Sequence, residues 1–299
     1  MTGAAPEAAS VTRGLSVLGR LLSPGPRNAS PLLLLLAIGF VAPLVAIVSF
    51  SFGEPRSFDV FQAPTLANYR TIIEETFYQS FLWSLSFAAL TVVFLAIICY
   101  PVAYGLVRVF GRWSNLITLF FVLPLFISEN VRLYGWILFF IKGGVLLGGI
   151  KALFGVDMES VLFTPPMIVF GMIYVYLPFM LFPMTLGLSM VPTDVTEAAS
   201  DLGASRWQVF REVELPLAMP GITIGAMLTF VLGIGAITEA KVLGGQSIIV
   251  ITHDIEIAFT YSQNWPLGAA LSVLLMLVVG VLVLAVLSRF DLDRILRRR

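Results

Sequence analysis

Long apolar runs alternate with short polar segments along this chain, and the runs predict helices that cross a membrane. Residues 31–52 carry no charged side chain. A helix of that length, at about 1.5 Å per residue, covers the roughly 30 Å of a bilayer core. The same test predicts five more spans, at about 80–107, 115–140, 164–189, 221–237 and 267–288. We therefore expect an all-α, polytopic membrane protein with six transmembrane helices.

Composition supports this class and excludes others. Of 299 residues, 58% are hydrophobic and 12% are charged, whereas soluble proteins carry about 25% charged residues. The formal net charge of zero provides no basic field of the kind that nucleic-acid binding requires. Cys99 and His253 are the single cysteine and histidine, so they cannot form an internal disulfide or a Cys/His metal cluster. We expect no catalytic residue, no metal site and no bound cofactor.

The distribution of Lys and Arg predicts the orientation. Cytoplasmic loops are enriched in Lys and Arg. If both ends lie in the cytoplasm, the inner segments hold twelve basic residues and the outer segments hold five, which favours this orientation. The inner set is Arg13, Arg20, Arg27, Arg108, Arg112, Arg206, Arg211, Arg289, Arg294, Arg297, Arg298 and Arg299, and the outer set is Arg56, Arg70, Lys142, Lys151 and Lys241. Residues 1–30 are then a cytoplasmic tail and 290–299 a basic cytoplasmic tail, flanking a transmembrane domain at 31–289.

The polar segment 194–221 interrupts the apolar pattern and predicts a helical hairpin. Asp194 and Glu197 have the spacing of an N-terminal capping pair. Gly203 follows the first apolar-periodic stretch, and a glycine there can adopt the left-handed conformation that ends a helix. A first short helix is therefore expected to end at a tight bend.

The second half of the hairpin predicts another short helix. Ser205 and Gln208 have the spacing of a capping box, and Pro216 disfavours helical geometry at Leu215 before it. Its apolar side is formed by Trp207, Phe210 and Val213. Such a hairpin could lie on lipid headgroups or dock against a protein, and capping and periodicity favour neither.

The residue pattern of this segment resembles the EAA loop of bacterial ABC importer permeases. The match comprises Glu197-Ala198-Ala199, Gly203 and Leu215-Pro216 at fixed spacings, with valine at 213 where that family often has isoleucine. The resemblance implies that residues 190–220 form a cytoplasmic coupling loop that docks into a separate ATPase. The residues it implies for coupling are Glu197, Ala198, Ala199, Gly203, Trp207, Leu215 and Pro216.

Two charges interrupt the third predicted span. Glu129 and Arg132 are three residues apart, so on a helix they share a face and could neutralise each other. Alternatively, intramembrane charges often mark a transport path. On that second interpretation the path is lined by Glu129, Asn130, Arg132, Tyr134 and Trp136.

Further segments are similar to the membrane subunits of spermidine/putrescine-type importers. They include Leu123-Pro124, the run 131–136 and the glycine-rich run 143–146. Departures occur at Leu147, where the family often has asparagine, and at 239–241, which replaces a Thr-Pro-like segment. The resemblance covers about residues 31–289 and implies a fold like that of a type I ABC importer permease.

The resemblance implies an importer subunit in the bacterial cytoplasmic membrane, in contact with lipid. Its expected partners are an ATPase dimer that binds the ATP, a second permease subunit and a periplasmic or lipid-anchored solute-binding protein. None of the three lysines follows a glycine, so the phosphate-binding G-x-x-x-x-G-K-[ST] loop is absent and the chain is not expected to be an enzyme. Cargo is expected to be a polyamine or a similar small polar solute, with amino-acid-like compounds such as opines as the alternative. A self-sufficient secondary transporter is less consistent with so few intramembrane charges, and a membrane enzyme would need clustered reactive groups.

Overall fold

The computed structural model describes residues 31–59, 63–245 and 247–289. All regular secondary structure within these residues is helical. The predicted tails at 1–30 and 290–299 lie outside these residues. In chain order the helices are α1 (Pro31–Ser51), α2 (Ala67–Glu74), α3 (Phe77–Val109), α4 (Ser114–Val122), α5 (Glu129–Phe140), α6 (Val145–Phe154), α7 (Pro165–Ser189), α8 (Thr193–Asp201), α9 (Arg206–Ile234), α10 (Thr238–Val242), α11 (Ile251–Glu256) and α12 (Trp265–Arg289). The described residues contain six apolar stretches long enough to cross a membrane, which confirms the predicted class.

The core is built around α7, which packs between α3 and α9. Its side chains are buried on several sides, including Met172, Met180 and Leu181. Leu95 and Cys99 of α3 belong to the same buried cluster. An apolar helix that is buried on most of its circumference occupies the centre of a bundle, so α7 is the central element of this one.

Helices α1 and α12 pack against each other at the edge of the core. They are joined to it through α11 and α2, where Ile72, Ile251 and Leu271 form a second buried cluster. The Ser84 hydroxyl of α3 accepts a hydrogen bond from the backbone N–H of Ile251 over 2.9 Å. The long apolar side chains of α1 remain exposed, as expected for a surface that faces lipid or another subunit.

The third predicted span, 115–140, is not one helix. The chain forms α4, a short 3-10 turn at Leu123–Phe126 and then α5, with extended backbone at Ile127 between them. Pro124 lies in the turn, and proline removes a backbone donor that a continuous helix would use. A second turn at 141–144 separates α5 from α6. The prediction of a single helix was therefore wrong at this place.

The fifth span begins well before residue 221. Helix α9 starts at Arg206 and runs to Ile234, so the second predicted short helix of the hairpin is the first part of this span. Leu215 is helical, with φ −61° and ψ −47°, and Pro216 does not end the helix. The preceding π-helical turn at Val209–Glu214 widens the backbone, which accommodates the missing donor of the proline. The other predicted spans coincide with α1, α3, α7 and α12 to within a few residues.

Helices α7 and α9 approach each other most closely at two glycines. A Cβ atom placed on Gly221 would lie 2.4 Å from the carbonyl oxygen of Pro183 and 2.6 Å from the Cα of Gly187. A Cβ on Gly187 would lie 2.8 Å from the Cα of Gly221. Both contacts involve backbone atoms, which cannot rotate away. Small residues at such crossings allow transmembrane helices to pack at short range.

The Gly187–Gly221 contact leads to a stability prediction. We expect Gly221→Ala to destabilise the protein by about 1–3 kcal/mol, because the added methyl group must push two backbones apart. Gly280→Ala on α12 is the matched control, since a Cβ there meets nothing within 4 Å. The measurement is the apparent melting temperature of the detergent-purified protein. Equal melting temperatures for the two variants would contradict the close-contact interpretation.

Candidate coupling loop and translocation cavity

The polar segment between α7 and α9 begins with α8. This helix starts at Thr193 after Pro192, and no side chain caps its first N–H groups. The prediction that Asp194 caps the helix together with Glu197 was wrong, because the helix begins one residue before Asp194. Asp194 lies instead in the first turn, where a negative charge is favourable beside the positive end of the helix dipole.

Gly203 makes the bend that follows α8. Its φ is +87°, which confirms the predicted left-handed conformation. The backbone N–H of Ala204 donates to the Ala199 carbonyl over 3.1 Å, closing the end of the helix. A Cβ on Gly203 would meet nothing within 4 Å. The glycine is therefore required by the backbone angle and not by the space available.

The start of α9 has the predicted capping box. The Ser205 hydroxyl accepts from the Gln208 backbone N–H over 3.4 Å, and the Gln208 side-chain oxygen accepts from the Ser205 N–H over 2.8 Å. This reciprocal arrangement satisfies N–H groups that have no partner within the helix. The bend and the beginning of α9 are thus both fixed by local sequence.

Much of the loop surface is exposed and apolar. Leu202 is 90% exposed and Trp207 is 66% exposed. Glu197 and Ala198 are also exposed, while Ala199 is half-buried. Large apolar side chains that project together from a turn are characteristic of an interaction surface. Of the other implied coupling residues, Leu215 is half-buried and Pro216 exposed, both within α9.

The same loop is attached to α3 as well as to α7 and α9. The ring of Phe210 meets the edge of Tyr100 at 5.2 Å between centroids, and Trp207 packs on Phe210 at 5.0 Å. A guanidinium nitrogen of Arg108 donates to the Val191 carbonyl over 2.7 Å. The exposed surface is therefore held by contacts to all three helices of the core.

A cavity of about 480 Å³ lies beside the break between α4 and α5. It is lined by the run 125–128 and by Glu129, Arg132, Val175, Tyr176, Phe179 and Leu232. The α7 residues among these lie halfway along that 25-residue helix, so the cavity lies near mid-membrane. Non-helical backbone is tolerated at that depth where it is buried in protein or lines a cavity, which is the situation at Ile127 and Ser128.

Of the five residues predicted to line the path, two border the cavity. These are Glu129 and Arg132. Asn130 and Tyr134 are exposed on the surface of α5. Trp136 is packed in an aromatic cluster, with its ring 4.8 Å from Phe170 between centroids.

Glu129 and Arg132 do not form the ion pair that their spacing allows. Among the residues that the structure describes, no opposite charge lies within 4.0 Å of the Glu129 carboxylate or of the Arg132 guanidinium. The Arg132 guanidinium instead lies over the ring of Tyr174, 5.6 Å from its centroid, and its Nε and Nη1 atoms are buried without a hydrogen-bond partner. The prediction of a self-contained pair was therefore wrong, because the side chain of Arg132 reaches across to α7.

Sequence reasoning missed Glu239 and Tyr176 as neighbours of these charges. Glu239 was placed in an outer loop, but it lies on α10 and is fully buried, and α10 packs against α5 and α7. Tyr176 borders the cavity. The sequence signal that could have identified Glu239 is that it is an acidic residue only a few positions beyond an apolar span. It also lies in the segment 239–241, which departs from the family resemblance.

Comparison with known proteins identifies the class. Residues 93–295 match the model of the family described as binding-protein-dependent transport system inner membrane component. The match covers more than half of the chain. The chain belongs to this permease family. It is the membrane-embedded subunit of an ABC importer, and a multi-pass protein of the inner membrane.

Two curated relatives of this permease are spermidine/putrescine transport system permease proteins named PotB. The one from Salmonella typhimurium (strain SL1344) is 30% identical over 221 residues, covering 74% of this chain and 77% of the relative. The one from Haemophilus influenzae is 30% identical over 246 residues, covering 80% and 84%. A solved bacterial ABC transporter involved in the import of the acidic polysaccharide alginate shares the fold, with a TM-score of 0.70 at 17% identity over 94% of this permease and 96% of that chain.

The Gly203 bend yields a prediction about the permease loop. We expect Gly203→Val to raise the hydrogen-exchange rate at the Ala204 amide about tenfold or more, because a β-branched residue at positive φ costs about 1–2 kcal/mol. Gly203→Asn, which tolerates this region, should change the rate much less. The readout is exchange measured by mass spectrometry on peptides that cover the loop. Similar exchange for both variants would show that the bend does not depend on backbone angle.

Proposed function

We propose that this permease forms part of the translocation path for a polyamine-like cation. The observation that carries this is the 30% identity to spermidine/putrescine permeases over about three quarters of both chains. The cavity beside the broken helix is consistent with such a cargo, since it is bordered by a carboxylate and by the rings of Tyr176 and Phe179. Carboxylates and aromatic faces are the groups that bind ammonium ions.

We also propose the assembly in which the permease works. A solute-binding protein delivers the cargo at the outer face, and a second permease subunit completes the path. An ATPase dimer binds and hydrolyses ATP at the inner face. The exposed apolar side chains of α1 provide one surface that a membrane partner or lipid could cover.

The loop from α8 to the start of α9 is the proposed contact with the ATPase. Contact with a folded ATPase would remove its exposed Leu202 and Trp207 from water, which is favourable. The bias of twelve basic residues against five supports the proposal that this loop and both termini lie in the cytoplasm. The domain organisation then has a cytoplasmic tail at 1–30, membrane helices from residue 31 to 289, the coupling loop at 190–220 and a basic tail at 290–299.

The proposed cargo can be tested with the reconstituted complex. We expect uptake of radiolabelled spermidine into proteoliposomes that contain this permease, its partner permease and its ATPase. The uptake should require both ATP and the solute-binding protein. Uptake that continues without ATP would favour a secondary transporter, and a complex that transports other solutes but not spermidine would refute the cargo.

The coupling surface can be tested by adding volume. We expect Ala198→Leu to release the ATPase during purification while the permease remains folded, because a close-packed cleft rejects three added carbon atoms at a cost of about 1–3 kcal/mol. Ala285→Leu adds the same volume on an exposed face of α12 and is the matched control. The measurement is the ratio of ATPase to permease after affinity purification. A stoichiometric ATPase in the Ala198→Leu complex would favour the alternative that the loop rests on lipid headgroups.

A further inference from the structure

Glu239 is a buried acid that no described side chain neutralises. The residue is 0% exposed, and neither carboxylate oxygen has a hydrogen-bond partner. Its stem packs over Gly171, where an added Cβ would lie 3.6 Å from the Cβ and Cγ of Glu239. An added Cβ there would clash with the Cδ1 atom of Leu243, at 2.6 Å, so the missing side chain at 171 makes room for Leu243, and the stem of Glu239 is in ordinary contact with that position. An ionised carboxylate buried without a partner is strongly unfavourable.

The polar groups around Glu239 connect it to the cavity. Tyr176, Glu129 and Arg132 interact electrostatically with its carboxyl group. The Tyr176 hydroxyl is the polar side-chain group next to that carboxyl. All three of these side chains line the cavity. Glu239 does not itself line the cavity, and these three side chains are what connect it to that space.

The charges of this cluster do not balance. It contains two carboxylates, Glu129 and Glu239, and one guanidinium, Arg132. The guanidinium lies over Tyr174 and is within 4.0 Å of neither carboxylate. The nearest lysine in sequence, Lys241, is already paired with Glu256 on α11. While both carboxyl groups are ionised the cluster is short of one positive charge, and a cation that supplied this charge would reach it through the cavity.

We infer that Glu239, together with Tyr176, is a binding site for an ammonium group of the cargo inside the permease. This rests on the proposed function, because it assumes that a cationic solute passes through the cavity. An ammonium group donates three hydrogen bonds and would satisfy carboxylate oxygens that are now unpaired. The ring of Tyr176 adds a face that attracts cations. Glu239 is thereby a residue that selects cations over neutral or anionic solutes.

The test is the number of spermidine molecules taken up per ATP hydrolysed by the reconstituted complex. We expect Glu239→Gln, which keeps the size and removes the charge, to lower this ratio by about tenfold to a hundredfold, as losing a hydrogen bond to a charged group typically does. Hydrolysis stimulated by the binding protein should persist. Glu239→Asp, which retains the charge, should recover part of the uptake. Glu74→Gln is the matched control, because Glu74 is an exposed acid that pairs with Arg70.

The alternative is that Glu239 is a structural partner of Arg132. In that case Arg132→Gln would be as harmful as Glu239→Gln, and the double variant would regain uptake. Three results would overturn the inference. They are that pattern, an unchanged ratio of uptake to ATP hydrolysis in Glu239→Gln, and failure of Glu239→Gln to assemble. Failure of the wild-type complex to transport spermidine would refute the proposed cargo instead, so the two failures are distinguishable.

Discussion

The contact between Gly187 and Gly221 determines how the rest of the molecule is arranged. Because backbone meets backbone at this point, α7 and α9 cannot slide or separate without losing the packing of the core. The loop that carries α8 connects these same two helices. A force applied to the loop therefore acts on a joined pair of helices, and through Phe210 and Tyr100 it also reaches α3.

A second constraint comes from the membrane itself. Each backbone N–H and C=O group within a bilayer must be satisfied internally or face a protected polar space. The break at Ile127 and Ser128 interrupts helical hydrogen bonding between α4 and α5, and the cavity lies at this break. Two of the other prolines lie next to π-helical turns, at Gly105–Val109 after Pro101 and at Val209–Glu214 before Pro216, whereas Pro178 and Pro183 lie within the continuous α-helix α7. Those turns keep the helix continuous, whereas the break at 127 opens a site.

The sequence predicts features that depend on local rules and fails where distant parts of the chain decide. The bend at Gly203 and the cap at Ser205 follow from a few neighbouring residues, and both are present. Neighbouring residues do not decide whether a proline ends a helix. Tertiary packing keeps α9 helical through Pro216, whereas Pro124 lies in a turn just before a break. The expected pairing of Glu129 with Arg132 was also based on local spacing. The guanidinium of Arg132 lies instead over the ring of Tyr174, more than forty positions away. Burial of Glu239 depends on the packing of α10 against α5 and α7, which no periodicity reveals.

Helix α9 connects the two candidate sites mechanically. It runs without a break from Arg206 to Ile234, which at about 1.5 Å per residue is about 43 Å, enough to cross the bilayer. One end carries the exposed Trp207, and the other end leads within a few residues to Glu239. Its glycines keep it against α7 along this length, with Gly225 beside Met180 and Gly233 beside Met172. Under the proposed coupling, a displacement of the loop therefore acts on the same pair of helices that carries Tyr176, on α7, and that leads to Glu239, just beyond α9.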